Sequence, residues 1–117
     1  MILADTSVWV EHFRRGFPLL AEHLSRAQFA THSIVIGELA TGNLAQRKET
    51  LLWLGQLPCV EESSAPDCLA FIEQRKLFGL GLGWNEVQLL AAAAHARVPI
   101  WSLDKKLTQA ARRLQLA

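Results

Sequence analysis

Four acidic residues in this chain stand where chemistry is commonly done: Asp5, Glu38, Glu86 and Asp104. Asp5 closes the apolar run Ile2-Leu3-Ala4 and is followed by Thr6 and Ser7, and Asp104 closes Val98-Pro99-Ile100-Trp101-Ser102-Leu103. Each run reads as a short buried strand with a helix leaving at once. Each aspartate then sits at a strand's C-terminal tip, where open α/β sheets bind their ligands. Glu38 and Glu86 fall early in segments with helical patterning, and in a parallel sheet those helices start from the same edge. Four unneutralised carboxylates in one crevice would repel strongly. A hard divalent cation resolves that conflict, and oxygen donors without Cys or His favour Mg²⁺ or Mn²⁺. Water on such an ion is acidified and attacks phosphodiesters, so metal-assisted hydrolysis is the chemistry this set suits. Singly, each acid has a plainer role. Asp5 and Asp104 can cap helices, Glu86 can answer a helix dipole for ~0.3–1 kcal/mol, and Glu38 can sit on a solvated face.

The elements that must position these acids follow from pattern and punctuation. A helix over 7–15 is expected to stop at Gly16, and Pro18 can open a second short helix over 19–26. A weakly patterned strand is expected at 28–31. Ser33 can cap a helix over 34–41 that Gly42-Asn43 ends, with Glu38 sharing the face of Ile34 and Val35. Residues 44–56 read as a helix so apolar around Leu51, Leu52, Trp53 and Leu54 that it is expected to pack on the sheet and on a second subunit. Pro58 marks 57–60 as an edge strand. Ser64 caps a helix running to about Phe78. Gly79-Leu80-Gly81-Leu82-Gly83 tempts a phosphate-loop reading, but the sixth position that should be glycine is Trp84, and no strand precedes it. It reads instead as a helix-to-helix connection. Asn85, with Gln88 three residues on, is expected to cap a buried helix, 98–103 to form the last strand, and Lys105 to begin the final helix. Such alternation predicts an α/β fold, a three-layer α/β/α sandwich with a mostly parallel sheet.

Length and composition bound the rest. The 117 residues read as one domain over 1–117, half of them apolar and a fifth charged. No apolar run approaches the ~18 residues of a membrane span. The three-residue apolar run near Met1 lacks a basic flank, so no signal peptide is expected. Cys59 and Cys68 make neither a disulfide framework nor a paired zinc spacing, which fits a reducing, cytoplasmic setting. The histidines (His12, His23, His32, His95) show no ligand spacing and read as structural or surface residues, and no Ser-His-Asp or Cys-His arrangement is legible. Net charge is +1, but setting the four acids aside leaves seven against twelve basic residues. A basic surface around an acidic hole suits a polyanion.

Together, Asp5-Thr6-Ser7-Val8-Trp9, Val35-Ile36-Gly37-Glu38-Leu39, Gly81-Leu82-Gly83-Trp84-Asn85-Glu86 with Leu89-Leu90-Ala91, and Trp101-Ser102-Leu103-Asp104-Lys105 resemble the motifs of PIN-domain ribonucleases. Among these the chain is most similar to VapC-type toxins of bacterial toxin–antitoxin modules, over essentially its whole length. The resemblance implies a PIN-like α/β/α fold, a Mg²⁺- or Mn²⁺-dependent endoribonuclease acting on RNA, a homodimer, and a cognate VapB-type antitoxin. It implies Asp5, Glu38, Glu86 and Asp104 as catalytic metal ligands, with Thr6 and Ser102 as supporting hydroxyls. The family usually has Asp where this chain has Glu86, and the extra methylene moves that carboxylate by about a bond length.

A second reading is a degenerate PIN-like binding module that keeps the fold and cuts nothing. A receiver-like signalling domain would need an Asp at a middle strand's end, where this chain has Val60-Glu61-Glu62. A haloacid-dehalogenase-type phosphatase would need an Asp where Ser7 stands.

Overall fold

Strand β1 (Ile2–Ala4) forms the centre of the sheet, paired in parallel with β2 (Phe29–Ala30) on one side and β3 (Ile100–Trp101) on the other. The computed structural model describes residues 1–15 and 28–117. Within them, six helices flank the sheet: α1 (Thr6–Arg15), α2 (Ser33–Thr41), α3 (Arg47–Leu54), α4 (Ala65–Arg75), α5 (Trp84–Ala96) and α6 (Lys105–Arg113). This is the PIN-like α/β/α arrangement the sequence predicts. Leu3 and Ala4 are fully buried, as a parallel strand covered on both faces must be.

Register decides what meets at the edge of the sheet. Leu3 pairs with Ala30 and with Ile100, and Ala4 with Trp101. The next residue on each strand is therefore Asp5 beside Ser102, and the Asp5 N–H donates to the Trp101 carbonyl at 3.0 Å. Helices α1, α2 and α6 all leave from this edge. Because every strand runs the same way, α5 must carry the chain back to where β3 begins. Its N-terminus, with Glu86 in the first turn, thus faces the edge where the strands end.

The sheet is smaller than its apolar runs suggest. Residues 57–60 contribute a single parallel bridge, Thr31 to Cys59, and 28–31 and 98–103 pair over two residues each. Pro58 and Pro99 have no N–H to extend a ladder; each lends only a carbonyl, to Thr31 N at 2.8 Å and Leu3 N at 2.9 Å.

Helix ends also differ from expectation. The cap of α2 is His32 rather than Ser33: its Nδ1 accepts from the Ile34 N–H at 3.0 Å. The helix expected over 44–56 is trimmed to Arg47–Leu54, because Gln46 turns left-handed (φ 48) before it and Gly55 follows it. Ser64 caps α4 as predicted, accepting from Asp67 N at 3.2 Å. That helix stops at Arg75, short of Phe78, where Lys76 turns left-handed (φ 55) and Leu77 N closes onto the Ile72 carbonyl at 3.0 Å. Gly83 precedes α5, so Asn85 lies inside the first turn instead of capping it. The Gly16 stop and the helix expected at 19–26 lie outside the described residues.

Two helices show why the core closes around β1. On α5, Val87 and Leu89 to Ala93 are all buried, and the buried alanines Ala91, Ala92 and Ala93 let the helix approach its neighbours closely. On α6, Leu107, Ala110 and Ala111 are buried at helical spacing while Lys105, Lys106 and Arg112 face water. Trp9 of α1 is fully buried against Phe29 and Trp53, both with ring centroids at 5.8 Å. Among the described residues, no helix is long and apolar enough to cross a membrane.

Candidate active site

Asp5, Glu38, Glu86 and Asp104 line one small cavity of about 130 Å³, together with Thr6, Ser7 and Asn85. They arrive from four separate elements: the end of β1, α2, α5 and the turn between β3 and α6. Convergence at the strand-tip edge is what the sequence predicts, and the register produces it.

Asp5 is the most constrained of the four. It is 6% exposed. Its Oδ1 accepts from the Ser7 hydroxyl at 2.5 Å and from the Val8 N–H at 3.3 Å, and its Oδ2 accepts from the Ser102 hydroxyl at 2.6 Å. The Val8 bond makes Asp5 the cap of α1 as well, so its plainer role and its proposed one coexist. Both hydroxyls are themselves held, since Ser7 Oγ accepts from Leu103 N and Ser102 Oγ from Asp104 N, each at 2.9 Å. The tips of β1 and β3 are thereby laced across 97 residues of sequence. Thr108 Oγ1 closes the turn by donating to the carbonyls of Ser102 at 3.1 Å and Asp104 at 2.8 Å.

The other acids are held more loosely. Asp104 caps α6, its Oδ1 accepting from Leu107 N at 2.9 Å. Glu38 is exposed at the cavity rim, and its Oε1 accepts from the Thr6 hydroxyl at 2.7 Å. Half-buried Glu86 folds back over Gly83, where a Cβ would lie 2.6 Å from its Oε2. Among the described residues it accepts no hydrogen bond. Of the two supporting hydroxyls named from sequence, Thr6 therefore meets Glu38 and Ser102 meets Asp5. Ser7 is a third. Its signal was a hydroxyl two residues past an acid at a helix start, where such side chains turn back onto their neighbours.

The donor set suits a hard divalent cation, being all carboxylate oxygen around one cavity. As they lie, no three Asp, Glu, His or Cys side chains among the described residues are close enough to share one ion. The reason is visible in the bonds above: Asp5 and Asp104 are turned to hydroxyls and helix N–H groups, and Glu86 to Gly83. Glu38 and Glu86 have flexible stems and at most one hydrogen bond each, so rotation into the cavity is inexpensive.

Among the described residues, no histidine lines the cavity. His32 is buried, with Nδ1 committed to α2 and Nε2 facing Glu62 Oε1 at 3.9 Å; burial holds its pKa below the ordinary value, against the opposing pull of Glu62. His95 pairs with Glu61 at 3.3 Å on the surface, and His12 lies edge-on to Trp9. His23 lies outside the described residues. A larger apolar cleft of about 560 Å³ adjoins the site and shares Glu38 with it, walled by Val10, Phe13, Leu39 and Leu44.

No protein-family model matches the chain. Ribonuclease VapC32 of Mycobacterium tuberculosis, in each of two strains, is 37% identical to it over 111 residues, covering 94% of this chain and 90% of the relative.

Proposed function

The chain belongs to the VapC ribonuclease family, and from that premise we propose that it is a metal-dependent endoribonuclease, the toxin of a toxin–antitoxin pair. The observation that carries this reading is the convergence of four carboxylates from four elements on one cavity at the strand-tip edge. Asp5, Glu38, Glu86 and Asp104 would hold Mg²⁺ or Mn²⁺. The ion, when bound, acidifies a water for attack on an RNA phosphodiester and offsets charge on the phosphate.

The protein's own residues supply placement. Ser7, Ser102 and the Val8 N–H fix both oxygens of Asp5, so its charge is oriented before any ligand arrives. Thr6 steadies Glu38 from the start of α1. Both serine hydroxyls spend their protons on Asp5, and among the described residues no imidazole lines the cavity to activate them, so the residues favour hydrolysis by water over a covalent intermediate.

The same reading gives the partners. The apolar cleft that shares Glu38 offers a seat for a VapB-type antitoxin, whose chain would end with a basic side chain among the acids. Leu52 and Trp53 on α3, 68% and 38% exposed, favour a homodimer through that helix. The test of function is cleavage of total cellular RNA by the purified protein in Mg²⁺, Mn²⁺ or EDTA. Cutting with either metal and none in EDTA is expected. Folded protein that cuts under no condition would favour the PIN-like binding module instead.

A further inference from the structure

We propose that Lys106 is the phosphate-binding cation of this site, seated there by Gly81; the proposal rests on the ribonuclease reading above. A glycine-rich connection with Gly79, Gly81 and Gly83 joins α4 to α5. Gly81 is left-handed (φ 78), a conformation that side chains rarely adopt. A Cβ there would lie 2.8 Å from Lys106 Nζ, 3.1 Å from its Cδ and 3.2 Å from its Cε. The end of the lysine thus lies flat on the glycine. Two residues on, Gly83 gives the same room to the Glu86 carboxylate. One short loop therefore beds a cation and a cavity acid side by side.

Lys106 is exposed, and two further observations bear on its charge. It occupies the first turn of α6, where the helix dipole opposes a cation and the acid at hand, Asp104, is engaged as the cap. Among the described residues, no carboxylate pairs with it. Yet its neighbours in sequence are wall residues: Asp104 and Leu107 both line the acidic cavity. A positive charge bedded on the same loop as the Glu86 carboxylate has an evident use when the substrate is a polyanion. It attracts a non-bridging phosphate oxygen toward a hole that would otherwise repel it, and it strengthens as charge grows on the phosphate.

The test is binding of a fluorescein-labelled 2′-O-methyl RNA oligomer of mixed sequence, followed by anisotropy over a range of KCl, beside the initial rate of total-RNA cleavage. Lys106→Met is expected to weaken binding about tenfold at low salt and to reduce the slope of log affinity against log salt by about 0.7, one phosphate contact on a single strand. Cleavage should slow by at least the same factor. Lys105→Met, one position off the glycine seat, should change binding less than twofold. Gly81→Ala should weaken binding like Lys106→Met, because its Cβ takes the lysine's place. Added to Lys106→Met it should weaken binding no further, whatever it does to the melting temperature. Lys106→Met with wild-type affinity and slope, or Lys105→Met falling as far, overturns the proposal while leaving the ribonuclease reading intact if the wild type still cuts. A folded wild type that neither binds nor cuts RNA overturns both.

Discussion

Asp5 and Glu86 line the same cavity, but the first is bonded on both carboxylate oxygens and the second, among the described residues, on neither. The difference follows from where each side chain starts. A short acid at the tip of a central strand is placed by register, within reach of hydroxyls on the neighbouring strand's tip and on its own helix. A long acid in the first turn of a helix is placed by its own torsions, and here Gly83 leaves it room to fold away. The cavity thus has a fixed wall of strand-tip groups and an adjustable wall of helix groups. On the proposed reading, the adjustable wall would absorb the extra methylene of Glu86 where the resemblance implies an Asp.

The sharpest way to break this comparison is to change chain length on both walls. Asp5→Glu pushes a carboxylate out of its three-bond cradle and should reduce RNA cleavage about a thousandfold, on the scale of losing a preorganised charged group. Glu86→Asp should stay within about tenfold of wild type in the same assay, since a flexible position tolerates a shorter reach. Similar losses for both would mean the two walls are equally rigid. A smaller effect is expected from Ser102→Ala, which removes one hydroxyl from Asp5 and the acceptor of Asp104 N. Urea denaturation should report about 1–2 kcal/mol of lost stability, and cleavage should fall about tenfold because Asp5 keeps its other bonds.

The smallest effect concerns the helix that carries Glu38. Burial holds the His32 imidazole below its ordinary value of 6.5, opposed by Glu62, so the unfolded chain binds the extra proton more readily. Stability from this group is full above pH 6.5 and falls as the pH drops from there toward the folded-state value. Protonation would also remove the Nδ1 acceptor that caps α2. Urea midpoints measured on either side of pH 6.5 should therefore fall on the acid side, and less so in His32→Asn, which keeps a capping acceptor. His12, also lowered by burial, should leave part of the decline in place.

Much of the fixed wall was legible in the sequence. An apolar run that ends on an acid and turns into a helix is a local signal, and Asp5 and Asp104 both carry it. The α/β/α arrangement followed from alternation, which needs no precise boundaries. What the sequence concealed was pairing between distant residues. Ser102 and Asp5 lie 97 positions apart, and only the two-residue register of β1 with β3 makes them neighbours. Strands of two residues have no period to read, so the apolar runs 28–31, 57–60 and 98–103 each exceed the pairing the structure shows. The caps differ from expectation where an unusual residue takes the role: His32 accepts the bond expected of Ser33, and Gly83 stands at the position expected of Asn85. Glu86 was placed at the right mouth of the right helix, but its turn toward Gly83 depends on a missing Cβ, which pattern alone does not reveal.

On the proposed reading these acids form an RNA-cutting centre anchored on Asp5. It is tested most directly by degradation of total cellular RNA in Mg²⁺ or Mn²⁺ by wild type, Asp5→Asn and Glu86→Gln, with circular dichroism confirming that each is folded. Asp5→Asn keeps size and removes charge. Metal-dependent cutting is expected of the wild type, none above background of Asp5→Asn, and a clear but smaller loss of Glu86→Gln. Undiminished cutting by folded Asp5→Asn would contradict that reading.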